Sequence, residues 1–325
     1  LPDFYETAPG DDLDGDGLLD VISATVGKDR SVYVHWCPAE KDLITESDAW
    51  TTEAFPTQQN SQWWMYSLPI DVDRDGDLDL IVGSKNAGAL LTWMENPGPD
   101  SARNLSAWET HRLFDVGWIM SLRILERDEA RYLIFSDRKG LHSGIHLLPL
   151  LDEAPWFGKP VCVAAPGEEV MFLDLAFLDD DDRLDIVAAI RPDRIAVFYQ
   201  PEEPLAAWVD IADLSSIPTE VYGTAKAVRV GDLDGDSIPD FAITCERADG
   251  KKRGVFWSNV FSEFHPISDT TGVKYDRIEL LDLDADGDLD LVTCEERAGL
   301  GVIWFENPLL WLCSRLRRSH CAPKT

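Results

Sequence analysis

The stretch that decides the fold is Asp71-Val-Asp-Arg-Asp-Gly-Asp-Leu-Asp-Leu-Ile-Val-Gly83, an aspartate-rich turn that runs straight into β-branched and aliphatic residues. The same form, D-x-D-x-D-G-x-x-D, returns as DLDGDGLLDVI at 12 to 22, DLDGDSIPDFAI at 232 to 243, with Ser237 in the glycine position, and DLDADGDLDLV at 282 to 292. A weakened copy, FLDDDDRLDIV, lies at 177 to 187, with Phe177 in place of the first Asp and Asp182 in the glycine position. Carboxylates at positions 1, 3, 5 and 9 of one tight turn, with a backbone carbonyl at position 7, suit a hard, oxygen-seeking cation such as Ca²⁺. The expected ligands are Asp12, Asp14, Asp16 and Asp20; Asp71, Asp73, Asp75 and Asp79; Asp232, Asp234, Asp236 and Asp240; and Asp282, Asp284, Asp286 and Asp290. Asp179, Asp181 and Asp185 make a fifth, incomplete set.

An EF-hand begins the same way, but it needs a bidentate Glu at position 12 and helices on both sides. Position 12 is Ser23, Val82, Ile243 or Thr293, and the residues after each loop are strand-like. The loops start at 12, 71, 177, 232 and 282, and a metal-free copy fills the long gap, since WIMSLRIL at 118 to 125 aligns with WMYSLPID at 64 to 71. Each period of roughly 50 to 60 residues holds four strand-like segments, the pattern of propeller blades. The third segment ends in an aromatic, and Pro-rich turns such as ENPGP come after it. The expected fold is all-β, a six-bladed β-propeller with its calcium loops on one face. A truncated seven-bladed ring is the alternative.

These loops, their period and the ENP turns resemble FG-GAP/VCBS repeats, the calcium-loop blades of integrin α-chain heads and of many secreted bacterial proteins. The resemblance covers roughly residues 5 to 310. It implies calcium on one face and ligands on the other, and it fixes no activity, because one propeller fold hosts many.

Residues 1–311 form the expected propeller domain, and 312–325 a basic tail of another character. The formal net charge is −31, and four bound Ca²⁺ ions would bring it to about −23, which disfavours nucleic acid and anionic membranes as partners. No apolar run is long enough to span a membrane. The six cysteines lack C-x-x-C spacing, so zinc is not expected from them, and Cys245 and Cys294 read as buried hydrophobes. Cys313 and Cys321 are able to pair. The chain starts at Leu1 without Met or a signal peptide, as a processed or truncated product would, and loops of this kind favour millimolar calcium; secretion or a periplasmic location is expected.

If the acidic loops join strands 1 and 2, the loops joining strands 2 and 3 emerge at the opposite end. All six of those carry Lys or Arg, among them Arg138, Lys139, Arg191, Arg247, Lys251 and Arg297. Such a rim would take an anionic ligand, an acidic or sulfated polysaccharide being the expected class. Trp63, Trp64 and Trp118 lie where the chain enters first strands, and adjacent Trp63 and Trp64 cannot both face inward. One of them is available as a stacking platform for a sugar ring. Six residues before each first ligand stand Glu6, Met65, Ile119, Met171, Lys226 and Asp276. Glu6, Lys226 and Asp276 are the candidate catalytic residues of the alternative reading, a metal-dependent ester or phosphoester hydrolase or a polysaccharide lyase. A protein-binding scaffold is the third reading.

Overall fold

The computed structural model describes residues 5–7, 11–58, 60–211, 216–259 and 263–308, with the backbone alone at 5–7. The chain forms two compact units, residues 1–169 and 170–325, each built from three blades. In the first unit, blade 1 comprises β1 (Tyr5–Thr7), β2 (Val21–Thr25), β3 (Val32–Trp36) and β4 (Thr51–Ala54). Blade 2 comprises β5 (Trp63–Ile70), β6 (Asp79–Lys85), β7 (Leu90–Glu95) and β8 (Glu109–Asp115). Blade 3 comprises β9 (Ile119–Arg127), β10 (Ala130–Asp137), β11 (Gly144–Leu150) and β12 (Val161–Ala164). In the second unit, blade 4 comprises β13 (Val170–Ala176), β14 (Asp185–Ile190), β15 (Arg194–Tyr199) and β16 (Val209–Asp210). Blade 5 comprises β17 (Thr224–Gly231), β18 (Asp240–Glu246), β19 (Val255–Asn259) and β20 (Glu263–Pro266). Blade 6 has β21 (Tyr275–Leu281), β22 (Asp290–Glu295) and β23 (Gly301–Phe305) among the described residues.

Every blade is an antiparallel meander in chain order. The second strands are buried on both faces, as in DFAITCE of β18, which explains why they read as continuous apolar runs rather than as alternating ones. Within the first unit, Ile22, Val34, Trp36, Phe55, Trp64, Leu80, Val82 and Trp108 form one core cluster shared by blades 1 and 2. Removing such side chains from water contributes about 1.5 to 3 kcal/mol each. Trp64 is fully buried while its neighbour Trp63 is exposed, as strand alternation requires. Trp304, the aromatic near the end of blade 6's third strand, is 45% exposed on β23, the last described strand of its sheet. The basic tail, with Cys313 and Cys321, lies outside the described residues.

The first strands carry a feature that alternation did not reveal. The register shifts between Trp64 and Tyr66, between Val170 and Leu173, between Ala225 and Ala227, and between Tyr275 and Ile278. These bulges fall on Met65, Met171, Lys226 and Asp276, the one-per-blade positions. A bulged residue is released from the ladder and re-aimed, which is how Lys226 and Asp276 on successive first strands come to meet.

Candidate functional site

The acidic loops owe their shape to two left-handed residues. Position 4 has positive φ at Gly15, Arg74, Gly235 and Ala285, and position 6 at Gly17, Gly76, Asp182, Ser237 and Gly287. Only glycine adopts this region without cost. Asp182 and Ser237 nonetheless hold it, so the turn persists where the motif has drifted. The position 1 carboxylate then folds over the turn. Asp12 accepts from the backbone N–H groups of Asp16 (3.0 Å) and Gly17 (2.9 Å), and Asp282 accepts from those of Asp286 and Gly287, both at 3.0 Å.

Four loops gather their carboxylates. One ligand oxygen from each residue lies within 4.8 Å of the others in Asp12, Asp14 and Asp20; in Asp71, Asp73 and Asp75; in Asp232, Asp234 and Asp240; and in Asp282, Asp284 and Asp286. The donor sets are oxygen only, the chemistry Ca²⁺ prefers. In blade 2, Asp71 Oδ1 and Asp77 Oδ1 are buried with no hydrogen-bond partner. Burial, followed by the repulsion of Asp75, Asp73 and Asp71, pushes the Asp77 carboxyl up to about 6. Crowded, under-satisfied carboxylates of this kind fit a hard dication. Asp179, Asp181 and Asp185 of blade 4 form no such set among the described residues. There Arg183 forms an ion pair with Asp181 and donates from Nε to the Gln200 carbonyl at 2.9 Å, while Phe177 is exposed. Blade 1 has a guanidinium too, since Arg103 pairs with Asp14 and reaches Asp16 at 3.2 Å.

The position 9 aspartates have a second role. Asp20, Asp79, Asp185, Asp240 and Asp290 are all at most 1% exposed. One oxygen of each accepts the N–H of loop position 2, as in Asp79 with Val72 at 3.1 Å and Asp185 with Leu178 at 3.2 Å. The other oxygen accepts an N–H beyond the third strand in four blades: Cys37, Asn96, Gln200 and Asn307, at 2.8 to 2.9 Å. Each of these four carboxylates therefore staples its loop to the end of the third strand. The asparagine of the ENP turn continues the work, because Asn96 Nδ2 donates to Leu13 of the preceding blade and Asn307 Nδ2 to Leu233, both at 2.9 Å. Blade 4 separates the staple from metal binding. Asp185→Ala should cost about 2 to 4 kcal/mol by orphaning the buried Gln200 N–H and the part-buried Leu178 N–H. Denaturant melts should show this loss equally with and without calcium; a loss seen only with calcium would make Asp185 a ligand first.

At the other end of the second strands, the basic residues divide. Arg191 pairs with Glu246, Arg194 with Asp210 at 2.9 Å, Arg138 with Glu169 at 3.3 Å and Arg297 with Asp249 at 3.6 Å. Lys139, Arg247 and Lys251 have no carboxylate partner among the described residues. In the first unit the cations converge on aromatic rings. Arg30 lies 4.5 Å from the Trp63 ring centre, and Trp118 is ringed by Arg138 at 4.6 Å, Lys85 at 5.0 Å and Lys139 at 5.1 Å. Trp118 is half-buried, and its Nε1–H is without an acceptor.

Local packing forces this meeting. The buried Asp137 carboxylate accepts from the N–H groups of Gly117 (2.9 Å) and Trp118 (2.8 Å), locking the entry of β9 against the loop after β10. At Gly117 a Cβ would lie 1.7 Å from the Lys139 carbonyl, so only glycine permits the approach. His146 of β11 is structural: it is buried and stacked on Phe135 at 4.9 Å, and its Nε2 lies 2.7 Å from the carbonyl oxygen of the exposed loop residue His142.

The candidate catalytic residues fall into a buried ion network in the second unit. Lys226 Nζ lies 3.1 Å from Asp276 and 4.0 Å from Glu246, which also holds Arg191. Glu296 is paired with Lys274. Burial, then the neighbouring Asp276, pushes Glu296 up to about 7. Burial also acts to raise Asp276, but Lys226, Glu296 and Lys274 outweigh it and hold that carboxyl below its usual range. Lys226 and Asp276 are legible in the sequence from their place before the acidic loops; Glu246, at the end of β18, and Glu296 carry no such signal. The side chain of Glu6 lies outside the described residues; its backbone pairs with Ala24.

Residues 12–82 match the family described as FG-GAP-like repeat. This match, over blade 1 and the start of blade 2, and the six-bladed arrangement support an FG-GAP-repeat β-propeller. No curated protein matches the chain. Among the described residues no helix is long and apolar enough to cross a membrane.

Proposed function

We propose that this protein is an extracellular, calcium-stabilised propeller that binds an anionic ligand, an acidic or sulfated polysaccharide, at the blade ends opposite the acidic loops. The convergence of Lys85, Arg138 and Lys139 on Trp118 carries this reading. Three cations around one indole repel one another, and of these Arg138 is ion-paired with Glu169. An anion relieves the repulsion while the ring offers apolar surface. Trp63 with Arg30 repeats the combination. Four oxygen-only loops are consistent with a millimolar-calcium compartment, which supports secretion.

The enzyme reading stands second. Its acid, Asp276, and its cation, Lys226, are buried and neutralise each other, so little charge is left over for a substrate.

Tryptophan fluorescence tests the proposal. An oligosaccharide bearing sulfate or uronate groups should change the emission at low salt, a neutral one of equal length should not, and Trp118→Phe should remove the change. An equal response to the neutral sugar would contradict it.

A further inference from the structure

The outer edge of blade 2 holds a cluster of different chemistry from the acidic loops. Across β7 and β8 the register sets Glu95 directly opposite Glu109 and Trp93 directly opposite His111, all on one face. Two carboxylates facing each other on adjacent strands destabilise a sheet unless a cation lies between them. His111 Nε2 is 2.6 Å from Glu95 Oε2, and the imidazole is stacked on Trp93 at 4.4 Å, which fixes its plane. One donor atom from each of Glu95, Glu109 and His111 lies within 4.8 Å of the other two.

An imidazole and two carboxylates are the donor set of a borderline dication, and a nitrogen ligand sets this cluster apart from a calcium loop. Beside it opens a cavity of about 380 Å³, lined by Glu95 and His111 of the cluster and by Arg112, Trp156 and Phe157, with room for water or a further ligand on the metal. Blade 5 supplies an internal comparison. Trp257 is opposite His265 and stacked on it at 4.3 Å, and Glu263 occupies the place of Glu109, but Asn259 replaces Glu95. That copy gathers no three-ligand set among the described residues. Among the described residues the scaffold is repeated, and the complete donor set is found in blade 2.

We propose that Glu95, Glu109 and His111 bind Zn²⁺ or a similar first-row dication, with the remaining coordination positions open to the cavity. The test uses the full chain saturated with calcium, so that the acidic loops are filled. Calorimetry should find one Zn²⁺ site, and Co²⁺ should give visible absorption bands of a low-coordinate complex. Glu95→Gln and His111→Ala should each weaken the site roughly 100-fold or more. His265→Ala should leave it intact. His111 also packs on Trp93, so the near-isosteric Glu95→Gln separates loss of metal from loss of fold, and the calcium-dependent melt checks each variant. The proposal fails if the wild type shows no Zn²⁺ site above the calcium background. It also fails if Glu95→Gln and His111→Ala bind as the wild type does, or if His265→Ala abolishes binding.

Discussion

Chelation of calcium should lower the melting temperature by roughly 20 °C, and calcium added back should restore it. A ligand that binds only the folded state at 100 times its dissociation constant adds about 2.7 kcal/mol per site. Four independent sites add about 11 kcal/mol, and a chain of this size shifts by about 2 °C per kcal/mol. The acidic loops explain why the dependence is steep. Without a cation, Asp12, Asp14 and Asp20 lie within 4.8 Å of one another, as do the other three sets, and the chain carries a formal charge of −31. The unfolded chain spreads those charges apart, so losing the ions penalises only the folded state. Magnesium should restore less, because it demands a tighter octahedral cage. A melting curve unmoved by chelation would mean that the backbone donors inside the loops suffice on their own.

The second large effect concerns Trp118. Lys85→Glu with Lys139→Glu should weaken binding to a sulfated or uronate polysaccharide by about 100-fold, the equivalent of about 3 kcal/mol. Each exposed charge pair is worth up to about 1 kcal/mol, and reversal replaces attraction by repulsion at two positions. Arg138 is unsuited to this test, since it is buried and paired with Glu169. Affinity columns run at several ionic strengths provide the measurement: the wild type should elute progressively earlier as salt rises, because the lysines are screened. Arg247→Glu with Lys251→Glu, in the second unit, tests whether the basic loops there share the ligand. Retention of the double Lys85/Lys139 variant at wild-type strength would return these residues to ordinary solvated turns.

Much of the fold was legible because its signal is local and repeated. The carboxylate spacing of Asp71, Asp73, Asp75 and Asp79 needs only one turn of chain to be understood, and the strand after it is buried on both faces. The third-strand aromatics repeat at the same interval, and Pro-rich turns follow the third strand in three periods, so the blade boundaries could be drawn. The candidate site was legible in part. Trp118, Arg138 and Lys139 were identified singly, but their convergence with Lys85 depends on Gly117 letting two loops touch, which is a contact between segments. The bulges at Lys226 and Asp276 were hidden for a similar reason: a bulge is a relation between two strands, and neither strand announces it alone. The second role of the position 9 aspartates also escaped sequence reading. Their partners, such as Gln200 for Asp185, offer only a backbone N–H, which any residue but proline supplies.

Metal analysis of the protein after equilibration in calcium buffer should find four tightly held calcium ions per chain, with one fewer in Asp73→Ala and one fewer in Asp284→Ala. A protein that retains no calcium, or whose calcium content is the same in both variants as in the wild type, would contradict calcium binding by the acidic loops.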